Sequence, residues 1–173
     1  KTVGPPRRLQ WVAPPRFSRH HDRMSSISAM VTAGGRLFYI IDESNRISAL
    51  TDPKWSIIAR DAFNGTELWR REIEQWYPHI WPLKSGPSQL PRRMATDGKL
   101  IFVTLGYEMP LEVIDAANGE TLRTIEGSVG TEEIVLSGND LFLIVDEDIA
   151  SGNQHNMDEV KKGYNTLFFN EKP

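Results

Sequence analysis

From residue 29 onward, the chain places short apolar runs on either side of glycine turns. Residues 29–42, 93–104 and 134–145 each contain an apolar run, a turn that includes glycine, and a second apolar run. The runs have the length of strands and are too short for helices of ordinary size. A strand, a tight glycine turn and a second strand form a β-hairpin, so the pattern predicts three hairpins of the same kind.

A second pattern follows the first two hairpins. Residues 58–69 and 113–123 each contain a short apolar run, an Asn-Gly turn and another short run. Asn-Gly favours the positive backbone angles of a tight turn between antiparallel strands. Each hairpin together with its second element therefore predicts four consecutive strands, and the chain is expected to be all-β.

The spacing of the glycine turns indicates the size of the repeating unit. Gly98 and Gly138 lie 40 residues apart, whereas Gly35 and Gly98 lie 63 apart. Four-stranded propeller repeats are about 40–50 residues long, so the second interval fits one blade. The surplus in the first interval falls in residues 44–54 and 76–82, which are expected to be loop insertions on one face of the disc.

The spacing predicts a fragment of a β-propeller with about two and a half four-stranded blades. The predicted divisions are an irregular lead-in over 1–28, a blade with an insertion over 29–87, a blade over 88–130 and a partial blade over 131–173. A propeller closes with about 4–8 blades. The chain is therefore expected to be part of a longer protein, and the remaining blades come from that parent chain or from another copy.

Composition narrows the classes of function. The chain has 39% hydrophobic residues, a net charge of −3 and no cysteine. No overall positive field attracts nucleic acid, and no apolar run approaches the roughly 20 residues that span a membrane. Without cysteine, the chain has no disulfides, no thiolate metal site and no cysteine nucleophile. We expect no nucleic-acid partner and no membrane span.

Four residues of the first Asn-Gly element carry a recognisable spacing. Ala59, Asp61, Gly65 and Trp69 have the form A-x-D-x-x-x-G-x-x-x-W. This segment resembles the quinoprotein-type propeller repeat, also called the pyrroloquinoline-quinone repeat. The resemblance implies that the aspartate and glycine shape the turn between the outer strands and that the tryptophan packs between neighbouring blades.

The second element keeps part of this pattern. Val113, Asp115 and Gly119 match it, but Arg123 stands at the position of the tryptophan. The resemblance therefore implies that docking between blades differs there.

A wider resemblance extends from residue 4 to about residue 133. It includes Trp11 and residues 19–22 and 81–87, and it is similar to a group of large planctomycete-type proteins with quinoprotein-like propellers. Some of those proteins carry a methyltransferase-like domain elsewhere in the chain. The propeller resemblance favours a bacterial envelope compartment, while a methyltransferase-like neighbour would favour the cytoplasm.

One cluster near the start could bind a metal. His20, His21 and Asp22 offer two imidazoles and a carboxylate, which are common metal ligands. Adjacent side chains on an extended strand point to opposite faces, so they converge on one ion only if the backbone turns there. A structural or simply exposed role is the alternative for these residues.

The aromatic insertion is the candidate site for a ligand. Trp76, Tyr77 and Trp81 could form a platform for a planar cofactor or a sugar, because aromatic faces stack over a large area. Tryptophan also serves as a wedge between blades. That structural role is the alternative for Trp76 and Trp81, and it is the main interpretation for Trp69.

A third candidate is an acidic stretch that could bind calcium through oxygen ligands. Its members are Asp146, Glu147, Asp148, Asn153 and Asp158. Their spacing does not match the EF-hand loop, and a solvated loop is the alternative.

Three functions remain open. The preferred hypothesis is a non-catalytic propeller that binds a partner protein or a small ligand within a larger protein, with no cofactor of its own. A quinone-dependent dehydrogenase is implied by the resemblance, and it would use pyrroloquinoline quinone and calcium. A metal-dependent hydrolase built on the histidine cluster is the third.

Overall fold

A computed structural model describes residues 9–12, 27–44, 54–74, 76, 90–106 and 109–147. Within these ranges the chain forms ten strands and a single turn of 3-10 helix at Leu90–Arg92. The strands make three antiparallel sheets of four, four and two strands. The prediction of an all-β fold is confirmed over these ranges.

The first sheet contains four strands in chain order. They are β1 (Ile27–Ala33), β2 (Arg36–Asp42), β3 (Trp55–Asp61) and β4 (Glu67–Ile73). Each strand pairs with the next in antiparallel fashion. The first predicted hairpin is β1 and β2, and the first Asn-Gly element joins β3 to β4.

The second and third sheets follow the same order. The second sheet contains β5 (Met94–Thr96), β6 (Leu100–Thr104), β7 (Leu111–Asp115) and β8 (Thr121–Thr124). The third sheet contains β9 (Thr131–Ser137) and β10 (Asp140–Val145). All three predicted hairpins and both Asn-Gly elements are therefore present.

The hairpin turns depend on glycine at one corresponding position. Gly34, Gly98 and Gly138 have positive φ angles of 59°, 94° and 61°. Residues other than glycine rarely adopt positive φ angles, so the turn requires glycine at this position. In the first two turns a threonine hydroxyl also donates to the carbonyl oxygen four residues later, from Thr32 at 2.8 Å and from Thr96 at 2.7 Å.

The sheets stack face to face. The strand β1 contacts β5, and β5 contacts β9, so the first strands of successive sheets lie side by side. The main hydrophobic core lies between the first and second sheets. Its members on strands β2, β3, β6 and β7 include Phe38, Ile40, Trp55, Ile57, Ile101, Val103 and Ile114. Alternate residues of each strand enter this core because successive side chains point to opposite faces.

A second core lies between the second and third sheets. It contains the buried residues Phe102, Leu111, Val113 and Ile134. Leu136, Leu141 and Leu143 of the third sheet are half-buried against it. The second sheet is therefore covered by apolar side chains on both faces.

The outer face of the first sheet is also buried. Tyr39, Ile41 and Ile58 form a third cluster there. The hydroxyl oxygen of Tyr39 accepts a hydrogen bond from Arg60 Nε at 2.8 Å.

The predicted divisions of the chain can be compared with the sheets. The strand β1 begins at Ile27, inside the predicted lead-in over 1–28, and β9 begins at Thr131, the first residue of the predicted partial blade over 131–173. The division between 87 and 88 lies outside the described residues and stays a prediction.

Candidate functional site

The candidate site consists of two turns of the same construction, and a tryptophan ring packs on the glycine of each turn. In the first turn, Asp61 Oδ1 accepts the backbone N–H groups of Phe63 at 2.8 Å and Asn64 at 2.9 Å. The N–H of Gly65 donates to the carbonyl oxygen of Asp61 at 2.9 Å. Gly65 has a φ of 76°, which favours glycine. Asp61 and Gly65 together close the turn between β3 and β4.

The turn between β7 and β8 has the same construction. Asp115 Oδ1 accepts the N–H of Ala117 at 2.7 Å. The N–H of Gly119 donates to the carbonyl oxygen of Asp115 at 2.9 Å, and Gly119 has a φ of 79°. The asparagine before each glycine accepts one further N–H: Asn118 Oδ1 accepts that of Glu120 at 3.0 Å. The shared spacing of Asp, Asn and Gly therefore specifies one turn geometry twice.

Trp69 connects the first sheet to the turn of the second. Its Nε1 donates to the carbonyl oxygen of Ala116 at 3.0 Å. The ring lies directly over Gly119, because a Cβ added there would be only 2.7 Å from a ring carbon. The centroid of the Trp69 ring is also 6.1 Å from that of the Phe38 ring. The glycine is thus required twice, by its φ angle and by the closeness of the ring.

Trp11 makes the corresponding contact on the turn of the first sheet. Its Nε1 donates to the carbonyl oxygen of Ala62 at 3.0 Å, and a Cβ at Gly65 would be 2.6 Å from its ring. The pattern of the sequence near Trp11 predicted no role for its ring. A signal was present, since Trp11 precedes Gly65 by nearly the same number of residues as Trp69 precedes Gly119.

Arg123 occupies the position that corresponds to Trp69. Trp69 pairs with Ala59, and Arg123 pairs with Val113, and the register shifts directly after each of these two pairs. The side chain of Arg123 is exposed, as is all of β8. The departure from the tryptophan pattern thus falls on an exposed outer strand.

Ion pairs also cross both junctions. Arg71 of β4 lies 3.1 Å from Glu112 of β7, and its Nη1 donates to Thr121 Oγ1 at 2.7 Å. At the next junction, Arg92 lies 3.1 Å from Glu133 of β9. The first pair is the better shielded from solvent.

Two exposed charges have shifted pKa values. The hydrogen bond from Arg70 to Glu67, with a further contribution from Glu43, raises the pKa of Arg70 above its usual range. The backbone N–H of Leu100, followed by that of Lys99, lowers the pKa of Asp97 below its ordinary value. Both shifts arise from contacts that shape the sheets and their turns.

Asp42 holds the two described ends of the predicted insertion at 44–54. Its Oδ1 accepts the backbone N–H groups of Ser44 at 2.9 Å and Lys54 at 3.0 Å. The side chain is buried at the end of β2. Burial of a hydrogen-bonded carboxylate makes Asp42 a positioning residue for that loop.

Trp76, a predicted ligand-binding residue, is fully buried. It belongs to the main core, and its Nε1 donates to Ser28 Oγ at 2.7 Å. These contacts give its ring a structural role at the start of the first sheet. Tyr77 and Trp81 lie outside the described residues, so their predicted role stays a prediction.

The predicted metal-binding residues are mostly outside the described ranges. His20, His21 and Asp22 all lie outside them. Of the acidic stretch, Asp146 and Glu147 are described, and the backbone N–H of Asp146 donates to the carbonyl oxygen of Gly130 at 2.9 Å. Among the described residues, no three His, Asp or Glu side chains come together in a group that could hold a metal ion.

Comparison with known proteins gives no family for this chain. No model of a known protein family matches it, and the search of curated proteins found no match. Across the described ranges, no helix has the length and apolar character that a membrane crossing requires.

Proposed function

We propose that this chain is a segment of a quinoprotein-like β-propeller and that it acts as a non-catalytic module for binding a partner or ligand within a larger protein. In this proposal, the first and second sheets are two blades, and the third sheet is the inner half of another. The observation that carries the proposal is the contact of a tryptophan ring with the Asp-Gly turn of the next unit, made by Trp69 on Gly119 and by Trp11 on Gly65.

The order of the strands supports the same proposal. Each four-stranded sheet is an antiparallel meander, and the first strands of the three sheets lie next to one another. In a propeller, such four-stranded sheets are arranged around a central channel.

The polar side chains at the turns support a binding role over a catalytic one. The carboxylates of Asp61 and Asp115 accept backbone N–H groups of their own turns. Arg71 pairs with Glu112 across the junction between sheets. These groups position backbone and neighbouring sheets, and stacked repeats of this kind provide surface for partners.

The test is a cofactor-binding assay on the full chain. The protein is incubated with pyrroloquinoline quinone and calcium, and cofactor absorbance is followed together with dye-linked alcohol oxidation. A quinone-dependent alcohol dehydrogenase reconstituted in parallel serves as the positive control. We expect neither retained cofactor nor turnover. Tight, calcium-dependent uptake with turnover would contradict the proposal and make the chain part of a dehydrogenase.

A further inference from the structure

The second strands of the three hairpins carry a phenylalanine at one corresponding position. Phe38 pairs with Val31, Phe102 with Ala95, and Phe142 with Val135. Each phenylalanine lies four residues after its turn glycine. In the first two sheets, this face is the one that packs against the following sheet.

The exposure of these phenylalanines differs sharply. Phe38 is 0% exposed and Phe102 is 7% exposed, but Phe142 is 58% exposed. Two residues further along, Ile40 and Ile144 show the same contrast, since Ile40 is fully buried and Ile144 is exposed. The third sheet thus presents to solvent the phenylalanine position that the first two sheets bury, together with the isoleucine that corresponds to Ile40 of the first sheet.

The opposite face of the third sheet already packs against the second sheet. Ile134 is buried against the second sheet, and Leu141 and Leu143 are half-buried there. The remaining face presents Val135, Phe142 and Ile144, and we call these three residues the outward face. Val135 and Phe142 are paired across the two strands, and Ile144 lies two residues beyond Phe142 on the same face, so the exposed apolar surface is contiguous.

We infer that the outward face binds a further antiparallel sheet of the same kind. This inference rests on the proposed function and deepens it by naming the surface and its partner. Continuity supports this surface, because Phe38 of the first sheet packs toward the second sheet and Phe102 of the second sheet packs toward the third. The partner sheet would present aliphatic side chains where the second sheet presents Met94, Ile101 and Val103 to the first.

A second copy of this chain is a poorer partner. To continue the stack, it would have to present the outer face of its first sheet. That face is already covered, since Tyr39, Ile41 and Ile58 are buried. The turn at Gly65 is occupied as well, by the ring of Trp11.

The absence of cysteine from the chain allows a direct test. Phe142→Cys places a unique thiol on the outward face, and Leu122→Cys places a control thiol on the exposed strand β8. The rate of reaction with a thiol reagent is measured in the full chain and in a fusion that adds a second copy of residues 90–126 after residue 173. That added segment supplies a further sheet as the probe.

We expect the thiol at 142 to react at least tenfold more slowly in the fusion than in the unfused chain, while the thiol at 122 reacts equally in both. Ile144→Cys should behave like Phe142→Cys. Equal rates at 142 in the two proteins would overturn the inference. Protection in the unfused chain that grows with concentration, together with a dimer in light scattering, would identify a second copy as the partner and would also overturn it.

Failure of the proposed function can be distinguished from failure of the inference about the outward face by the stability of the Trp69→Ala variant. If tryptophan docking does not organise the stack, Trp69→Ala will leave the stability of the unfused chain unchanged. If only the present inference is wrong, Trp69→Ala will still destabilise that chain while the thiol at 142 stays reactive in the fusion.

Discussion

The two junctions between sheets share one arrangement of strands but use different side chains on the outer strands. At the junction of the first and second sheets, Trp69 covers the turn at Gly119, and Arg71 pairs with Glu112. At the junction of the second and third sheets, the position of Trp69 is taken by the exposed Arg123. An ion pair crosses this junction too, but it lies beside the inner strands, between Arg92 of the 3-10 turn before β5 and Glu133 of β9.

Both junctions nevertheless bury a phenylalanine and aliphatic side chains of the inner strands. Stacking of the inner strands is therefore the common requirement, and the tryptophan adds a second, outer attachment. The outer attachment can therefore differ while the order of the strands and the register of the last strand pair stay the same. The first junction should accordingly be the more sensitive to substitution on its outer strands.

The largest effect is expected for Trp69→Ala. The substitution removes the ring from Gly119 and the hydrogen bond to Ala116, and we expect a loss of about 3 kcal/mol in the free energy of unfolding. Urea denaturation measures this loss. The control is Leu68→Ala, which removes a neighbouring exposed side chain and should change stability by less than about 0.5 kcal/mol. Equal effects of the two substitutions would contradict the docking role.

The next effect concerns the glycine under the ring. Gly119→Ala puts a Cβ 2.7 Å from Trp69 at a φ of 79°, and we expect a loss of about 2 kcal/mol. Gly127 has a φ of 72° with nothing within 4 Å of an added Cβ. Gly127→Ala therefore carries the backbone strain alone, about 1 kcal/mol. Equal losses at the two glycines would mean that the ring does not press on the turn.

A smaller effect is expected for the ion pair at the first junction. A double-mutant cycle with Arg71→Ala and Glu112→Ala should give a coupling energy of about 0.5–1 kcal/mol that decreases in high salt. The matched control is the pair Lys54 and Glu72, which is 3.0 Å apart but more exposed, and its coupling should be close to zero. A coupling close to zero for Arg71 and Glu112 would show that this ion pair does not strengthen the junction.

The smallest effect is a dependence on pH at the turn before β6. The pKa of Asp97 is lowered from its ordinary 3.8 in the folded chain. Its contribution to stability is therefore present above that value and is lost as the pH falls through the folded pKa. Asp97→Asn keeps an acceptor for the N–H groups but removes the charge. We expect the variant to lose less stability than the natural chain between about pH 4 and pH 2, and parallel curves would contradict this.

The strands could be predicted from the sequence because their signals are local. The runs of apolar residues and the positive-φ glycines, such as Gly98 and Gly138, specify each hairpin without reference to the rest of the chain. The Asp-Gly spacing specified the second turn in the same way. Strand ends were less well predicted, and β1 begins before the apolar run that indicated it.

The docking contacts were harder to predict because they join residues far apart in the sequence. Trp11 stands among prolines, and nothing in its neighbourhood indicates that its ring reaches the turn at Gly65. Trp76 posed the opposite difficulty. Its aromatic neighbours suggested a ligand platform as well as a structural wedge, and only the buried contact with Ser28 shows its place in the core.

The most direct test of the account is a double-mutant cycle that combines Trp69→Ala with Gly119→Ala. If the ring presses on the turn, removing it relieves the clash, and the cost of Gly119→Ala falls from about 2 to about 1 kcal/mol in the Trp69→Ala background. The account predicts this coupling of about 1 kcal/mol, measured by urea denaturation of the four proteins. Identical costs in the two backgrounds would contradict the claim that the sheets are joined by a tryptophan on a glycine turn.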